Sequence, residues 1–274
     1  MKFFLDGIEP EDRDILEEGI KKIIREVFEK DRCNVTEIHI PVDYKSTINR
    51  IYSEKNPGKL YFEKNDKREI NGKAFNYKDD IRIIINKSIG YELIEYTLYH
   101  ELVHALYYKN IENYEYLNST SDDLIDSNCR YIIDEYNAYK KTFLRYFKSI
   151  ESYLVFYEQM LELSETLDVY EDREHQLEIL NKYNIYDLND YVNKIVKNIT
   201  IGMAIVDIFY ENGKEQLFNN YIEKYKNNKI IIQLIFFINS INEDMIPNID
   251  EFNCLRKYIE DIELFYEQIY YKHD

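Results

Sequence analysis

The 274-residue chain contains no tryptophan and only 7 glycines, 4 prolines, 3 cysteines and 5 histidines. So little glycine and proline leaves no flexible or Pro-rich linker to mark a domain boundary, and no internal repeat is visible. Cys33, Cys129 and Cys254 are odd in number, far apart and in no CxxC pairing, which excludes a disulfide framework or a cysteine zinc site and fits reduced thiols. Basic residues are also in deficit: 35 Lys and Arg stand against 52 Asp and Glu, a formal charge of -17 that opposes binding to nucleic-acid backbones. Long apolar runs are missing as well. The longest, Ile230 to Ile238, is interrupted by Gln233 and is too short to cross a bilayer. The first residues, MKFFLDGIEPEDRD, meet Asp6, Glu9 and Glu11 too early for a secretory signal. The expectation is a cytoplasmic protein that engages neither nucleic acid nor membrane.

What is present is a real apolar payload, 45% of residues, with 28 Tyr and 14 Phe, so much of the interior is built from rings whose hydroxyls need partners. From Pro10 to about Lys30, Ile15, Ile20, Ile23, Ile24, Val27 and Phe28 fall at helical spacing, with Pro10 in the first turn and Glu11 and Asp12 at the positive end of the helix dipole. Val35 to Tyr44 and Asp80 to Ser88 are short and β-branched, as strands are, and Lys59 to Phe62 is a candidate third strand beside the turn signal Asn56-Pro57-Gly58. Beyond residue 89 almost everything reads helical: Tyr91 to Tyr108, a stretch starting between Ser121 and Ser127 and running to about Ser149, and several more. Stripes such as Ile230, Ile231, Leu234, Ile235, Ile238 and Leu255, Tyr258, Ile259, Ile262, Phe265 have core spacing.

Chemistry concentrates in Thr97-Leu-Tyr-His100-Glu101-Leu-Val-His104-Ala-Leu106, an H-E-x-x-H inside a predicted helix. Positions i and i+4 share a helix face, so His100 and His104 can hold one Zn²⁺ while Glu101 reaches water as a general base. From Tyr96 to Leu106 no charged residue other than Glu101 competes, and Leu102, Val103 and Ala105 suit a helix buried behind a metal. Ser88 is the expected N-cap, with Glu92 in the first turn. The other histidines read differently: His39 as a hydrogen-bonded or solvent-facing strand residue, His175 and His273 as surface groups.

This segment resembles the metal-binding helix of zincin metallopeptidases, and the Asp80 to Ser88 strand resembles the edge strand along which those enzymes align an extended peptide. The metzincin continuation is absent, since Tyr107 and Asn110 stand where Gly and His would be. Downstream, Asp134-Glu135-Tyr136-Asn137-Ala138 resembles the Glu-x-x-Ala signature of gluzincins, including the ImmA/IrrE-like group. That resemblance makes Glu135 the expected third ligand, with small Ala138 one turn on to let two helices approach; Asp134, Asp126 and Glu112 are the alternatives. The implied chemistry is zinc-assisted hydrolysis of peptide bonds in a protein or peptide, with Glu101 as proton acceptor. With 28 tyrosines, no single one can be chosen as oxyanion partner. The competing reading is an inactive, zinc-stabilised interaction module, against which Glu101 itself argues. The expected architecture is α+β: a zincin-like domain over 1–165 (helix, small sheet, HExxH helix, third-ligand helix), followed by an all-α region over 166–274.

Overall fold

A computed structural model describes residues 1–28, 34–64, 66–68, 70–77, 80–118, 124–146, 188–226, 229–240 and 246–270. These residues form two compact units, Met1–Asn113 and Tyr114–Asp274. The first is a mixed α/β region that carries the HExxH helix, and the second is largely helical. The boundary expected near residue 165 lies outside the described residues, as does His175; His273 does too.

The first unit runs β1 (Lys2–Phe4), α1 (Pro10–Val27), β2 (Val35–His39), α2 (Tyr44–Lys55), β3 (Gly72–Asn76), β4 (Ile81–Ile85), a 3₁₀ turn (Lys87–Ile89) and α3 (Tyr91–Asn110). The strands make one sheet in the order β1-β2-β4-β3. β1 and β2, and β2 and β4, are parallel, whereas β3 runs antiparallel to β4, with Gly72 opposite Ile85 and Asn76 opposite Ile81. Alternation along β4 divides the core. Ile83 and Ile85 pack with Ile20, Ile23 and Ile24 of α1 and with Ile94, Leu98, Leu102 and Ala105 of α3. Ile84 packs on the opposite side with Tyr44, Ile48 and Ile51 of α2 and with Phe62 and Phe75. Both faces are therefore covered, which is why IRIII reads as a continuous apolar run. Ile15, expected in the α1 stripe, is instead 76% exposed.

Four expectations need correction. β4 is internal, because β3 pairs along its outer side, so among the described residues the edge strand next to α3 is β3. Lys59 to Phe62 is not a strand: Phe62 exchanges backbone hydrogen bonds with the Asn49 side chain, its N–H donating to Oδ1 at 2.7 Å and its carbonyl accepting from Nδ2 at 2.9 Å. A side chain has taken the place of a ladder partner. Finally, Ser88 does not cap α3. Asn86 accepts from the Ser88 N–H at 3.1 Å, and the helix starts after Gly90, whose φ of 84° is costly for other residues. The strand read through Tyr44 also ends early, since Pro41 offers no N–H and Asp43 accepts from Ser46 to start α2.

The second unit contains α4 (Glu115–Asn118), α5 (Leu124–Tyr146), α6 (Leu188–Glu211), α7 (Glu215–Lys224), α8 (Lys229–Ser240) and α9 (Ile249–Tyr270). The stripes on α8 and α9 do pack: Ile231, Leu234, Ile235 and Ile238, and Leu255, Ile259 and Ile262, are buried. Between α5 and α6 lies a polar cluster, buried at Tyr136 and Asp207 and open to solvent at Glu211, in which the Tyr136 hydroxyl donates to Asp207, and Lys140 Nζ stands 3.8 Å from Asp207 and 2.6 Å from Glu211. Among the described residues no helix is long and apolar enough to cross a membrane.

Burial pushes the Asp207 carboxyl above its ordinary range, with Tyr136 and Lys140 opposing the shift and Glu211 adding to it. A raised native pKa means that the folded state holds this proton more tightly. The associated stability is complete below the ordinary carboxylate value of about 4 and is lost as pH rises through the raised native value. Asp207→Asn removes that dependence. Urea unfolding across this range is expected to show the stability of the variant, relative to the parent, improving as pH rises; parallel curves would contradict the assignment.

Candidate metal centre

α3 is apolar on nearly every side, as befits a helix packed between the sheet and α1. Ile94, Leu98, Leu102 and Ala105 take the core face. Thr97, Glu101 and His104 form a neighbouring stripe that meets the start of β3, and all three are buried despite their polarity, Glu101 and His104 to 6% exposure each. About the helix axis His100 and His104 are separated by about 40°, and Glu101 lies about 60° beyond His104. All three side chains thus leave one sector of the helix.

The two imidazoles converge. Their Nε2 atoms are 3.1 Å apart, with ring planes at 86° and centroids at 4.7 Å. Two nitrogens bound at about 2.0–2.1 Å to a tetrahedral ion would be about 3.3 Å apart, so the pair already stands close to the separation that one Zn²⁺ demands. A ligand atom from each of His100, Glu101 and His104 lies within 4.8 Å of the others. Nitrogen donors from two histidines with an adjacent carboxylate make a donor set suited to zinc, and the cluster is geometrically compatible with it. The His104 ring is stacked on Tyr108 at 6.4 Å, which limits its rotation.

Glu101 is positioned by a residue that the motif does not contain. A Cβ built on Gly72 would fall 2.8 Å from Glu101 Oε1, 2.9 Å from its Cγ and 2.6 Å from Thr97 Cγ2. The first residue of β3 must therefore lack a side chain for the Glu101 carboxylate to sit where it does. Its only sign in the sequence is an isolated glycine ahead of a short β-prone run, in a chain that has only 7 glycines.

The remaining candidates lie elsewhere in the fold. Glu135 and Asp134 are half-buried on α5, in the second unit, one turn from Tyr131. Burial first, then the charges of Glu135, Tyr139 and Asp134, raise the Tyr131 hydroxyl well above its ordinary pKa. Ala138 is fully buried. Asp126 is engaged by Arg256 at 3.3 Å, and Glu112 is exposed in the turn after α3. His39 is buried, accepts or donates a hydrogen bond at 3.0 Å to Glu37 and stacks on Phe4, with burial lowering its pKa; it is a hydrogen-bonded strand residue, as expected.

Gly72→Ala is expected to cost about 1–3 kcal/mol by overpacking. The penalty should shrink in a Glu101→Ala background, where one of the two crowded side chains is gone. A double-mutant cycle by urea unfolding measures this, and an unchanged penalty would place the strain elsewhere.

No protein-family model matches the chain, and neither the curated proteins nor the solved structures include one similar to it. The chemical assignment therefore rests on its own residues, a His100-Glu101-x-x-His104 triad of the HExxH kind fit to bind a metal.

Proposed function

We propose that this chain is a cytoplasmic zinc metallopeptidase of the gluzincin type, closest in pattern to the ImmA/IrrE-like group, that hydrolyses peptide bonds in a protein or peptide substrate. The observation that carries the reading is the convergence of two imidazole nitrogens 3.1 Å apart with a buried carboxylate beside them. A metal site kept for stability alone is normally closed by a fourth protein ligand and has no use for a glutamate at the second position of the motif. The zincin-like domain in this reading extends from the sheet and α3 to α5, with the later helices as an accompanying region.

His100 and His104 would hold the ion, and Glu135 is the third ligand we propose. When bound, Zn²⁺ supplies Lewis acidity, which makes water more acidic and a carbonyl carbon more electrophilic. The part played by the protein is proton handling and orientation. Glu101 accepts the proton of the attacking water and delivers it to the nitrogen of the departing amine. The missing side chain of Gly72 leaves the room in which that carboxylate stands. β3, the edge strand next to α3 among the described residues, is the strand along which an extended peptide would add.

Zinc content and casein cleavage, measured in parallel, test the reading. The parent chain and Glu101→Gln are each expected to carry about one zinc per chain, and Glu135→Ala to lose it. Glu101→Gln should lower the cleavage rate by about 10²–10⁴-fold without metal loss. A zinc-loaded parent that cleaves nothing would reduce the site to binding, and zinc retained in Glu135→Ala would move the third ligand to another residue.

A further inference from the structure

Alternation along β3 gives two sides to any strand that adds to it. Ala74 joins the core beneath α3, and Gly72, two residues before it, meets Thr97 and Glu101 on that side. Phe75 goes to the opposite side, into the cluster with Tyr44, Ile48 and Phe62. Lys73 shares that second side. Its ammonium lies 5.9 Å from the centre of the Tyr61 ring, which also meets Phe75 edge-on at 5.8 Å. Residues directly opposite each other in a ladder turn their side chains to the same face. A guest strand on β3 would therefore set the residue opposite Gly72 toward Glu101, and its neighbour, opposite Lys73, toward Tyr61.

Tyr61 is one wall of a cleft of about 450 Å³ that Leu60, Glu63, Lys64, Asp66 and Arg68 complete. Its walls are tied together. Arg68 Nη2 donates to the Tyr61 carbonyl at 2.8 Å and Nε donates to the Asp66 carboxylate at 2.8 Å, while the guanidinium lies over the Tyr61 and Phe62 rings at 5.6 and 5.5 Å. Lys45 of α2 donates to the Asp66 carbonyl at 2.7 Å. A chain of contacts thus runs from the Glu101 carboxylate through Gly72 and Lys73 to this cleft.

The charge of the surrounding stretch is inverted relative to the whole molecule. From Lys59 to Lys73 five basic residues stand against three acidic ones, a local excess of positive charge in a chain of net charge -17. Within the lining, Arg68 answers Asp66 and holds its carboxyl below the ordinary range. Glu63 and Lys64 are both exposed, with the Lys45 ammonium nearby over the Phe62 ring. Leu60, 57% exposed, and Tyr61 offer apolar surface to the methylenes of an incoming side chain.

We infer that this cleft is the subsite for an acidic side chain of the peptide, that of the residue next to the one facing Glu101. The inference rests on the peptidase reading, in particular on strand addition to β3, and deepens it by naming a feature of the substrate. Lys64 supplies the charge at the cleft, and the alternation of β3 decides which guest residue reaches it.

The test uses neutral fluorescent decapeptides that carry a single Glu at successive positions, each with its Gln counterpart. Anisotropy against zinc-loaded Glu101→Gln, full-length, is expected to show the Glu peptides bound about 5-fold more tightly at low salt. Adding Lys64→Glu should abolish that ratio, whereas adding Lys22→Glu, the same charge change at an exposed position on α1, should preserve it. Equal affinity for Glu and Gln peptides, a ratio that survives Lys64→Glu, equal loss in Lys22→Glu, or no binding of any peptide would each overturn the inference. The parent chain should cut every Glu peptide at one fixed distance from its Glu, so that the cleavage site moves with that residue. Cleavage without regard to the Glu would remove the subsite and leave the peptidase reading standing. If the ratio is found and the parent cuts none of the peptides, hydrolysis fails as the activity while the cleft keeps its assignment.

Discussion

The close approach of α3 to the first residue of β3 sets the conditions for everything else in the first unit. A helix carrying two histidines and a glutamate can sit against a sheet only if the sheet presents little bulk there, and Gly72 does that where Thr97 and Glu101 press in. The rest of α3 then buries Ile94, Leu98, Leu102 and Ala105 against α1 and β4, so the polar stripe is held in place by a hydrophobic clamp. With the helix clamped on its core face, the imidazoles cannot drift apart by moving the backbone. Their spacing is fixed by the i, i+4 geometry and by stacking of His104 on Tyr108.

This arrangement places polar chemistry inside an apolar frame. Glu101 and His104 are almost fully removed from water, and Tyr44 is buried from the other face of the sheet. Interactions between Glu101 and His104 are accordingly less screened than at a surface, and a small change in packing at Gly72 is felt as an electrostatic change at the site. The second unit has its own instance of the same physics in Tyr136, Lys140 and Asp207, where burial dominates the titration of the carboxyl.

Much of this was legible in the sequence, and the failures have physical causes. α1, α3 and α5 announced themselves through periodic apolar residues, and the HExxH triad through side-chain type and spacing alone, because a helix fixes i, i+4 neighbours without reference to the rest of the chain. Sheet order is different. IRIII says that a strand is buried on both faces but not which strand lies beside it, so β4 was read as an edge when GKAFN, a segment with a glycine and a lysine in five residues, takes that place. α2 was hidden behind a β-branched run, although Pro41 and Asp43 marked the break. The strand read at Lys59 to Phe62 failed because Asn49, distant in sequence, satisfies Phe62.

The pairing of β3 has a consequence for how the chain must live in a crowded solution. An edge strand that can accept an extended peptide can, by the same backbone geometry, accept the edge of another molecule of its own kind. Here the edge strand is only five residues long, Gly72 to Asn76, and includes Lys73, whose ammonium lies over the Tyr61 ring. A short, charged edge admits a transient guest more readily than it nucleates a growing sheet. In a molecule of net charge -17, mutual repulsion discourages such self-pairing further.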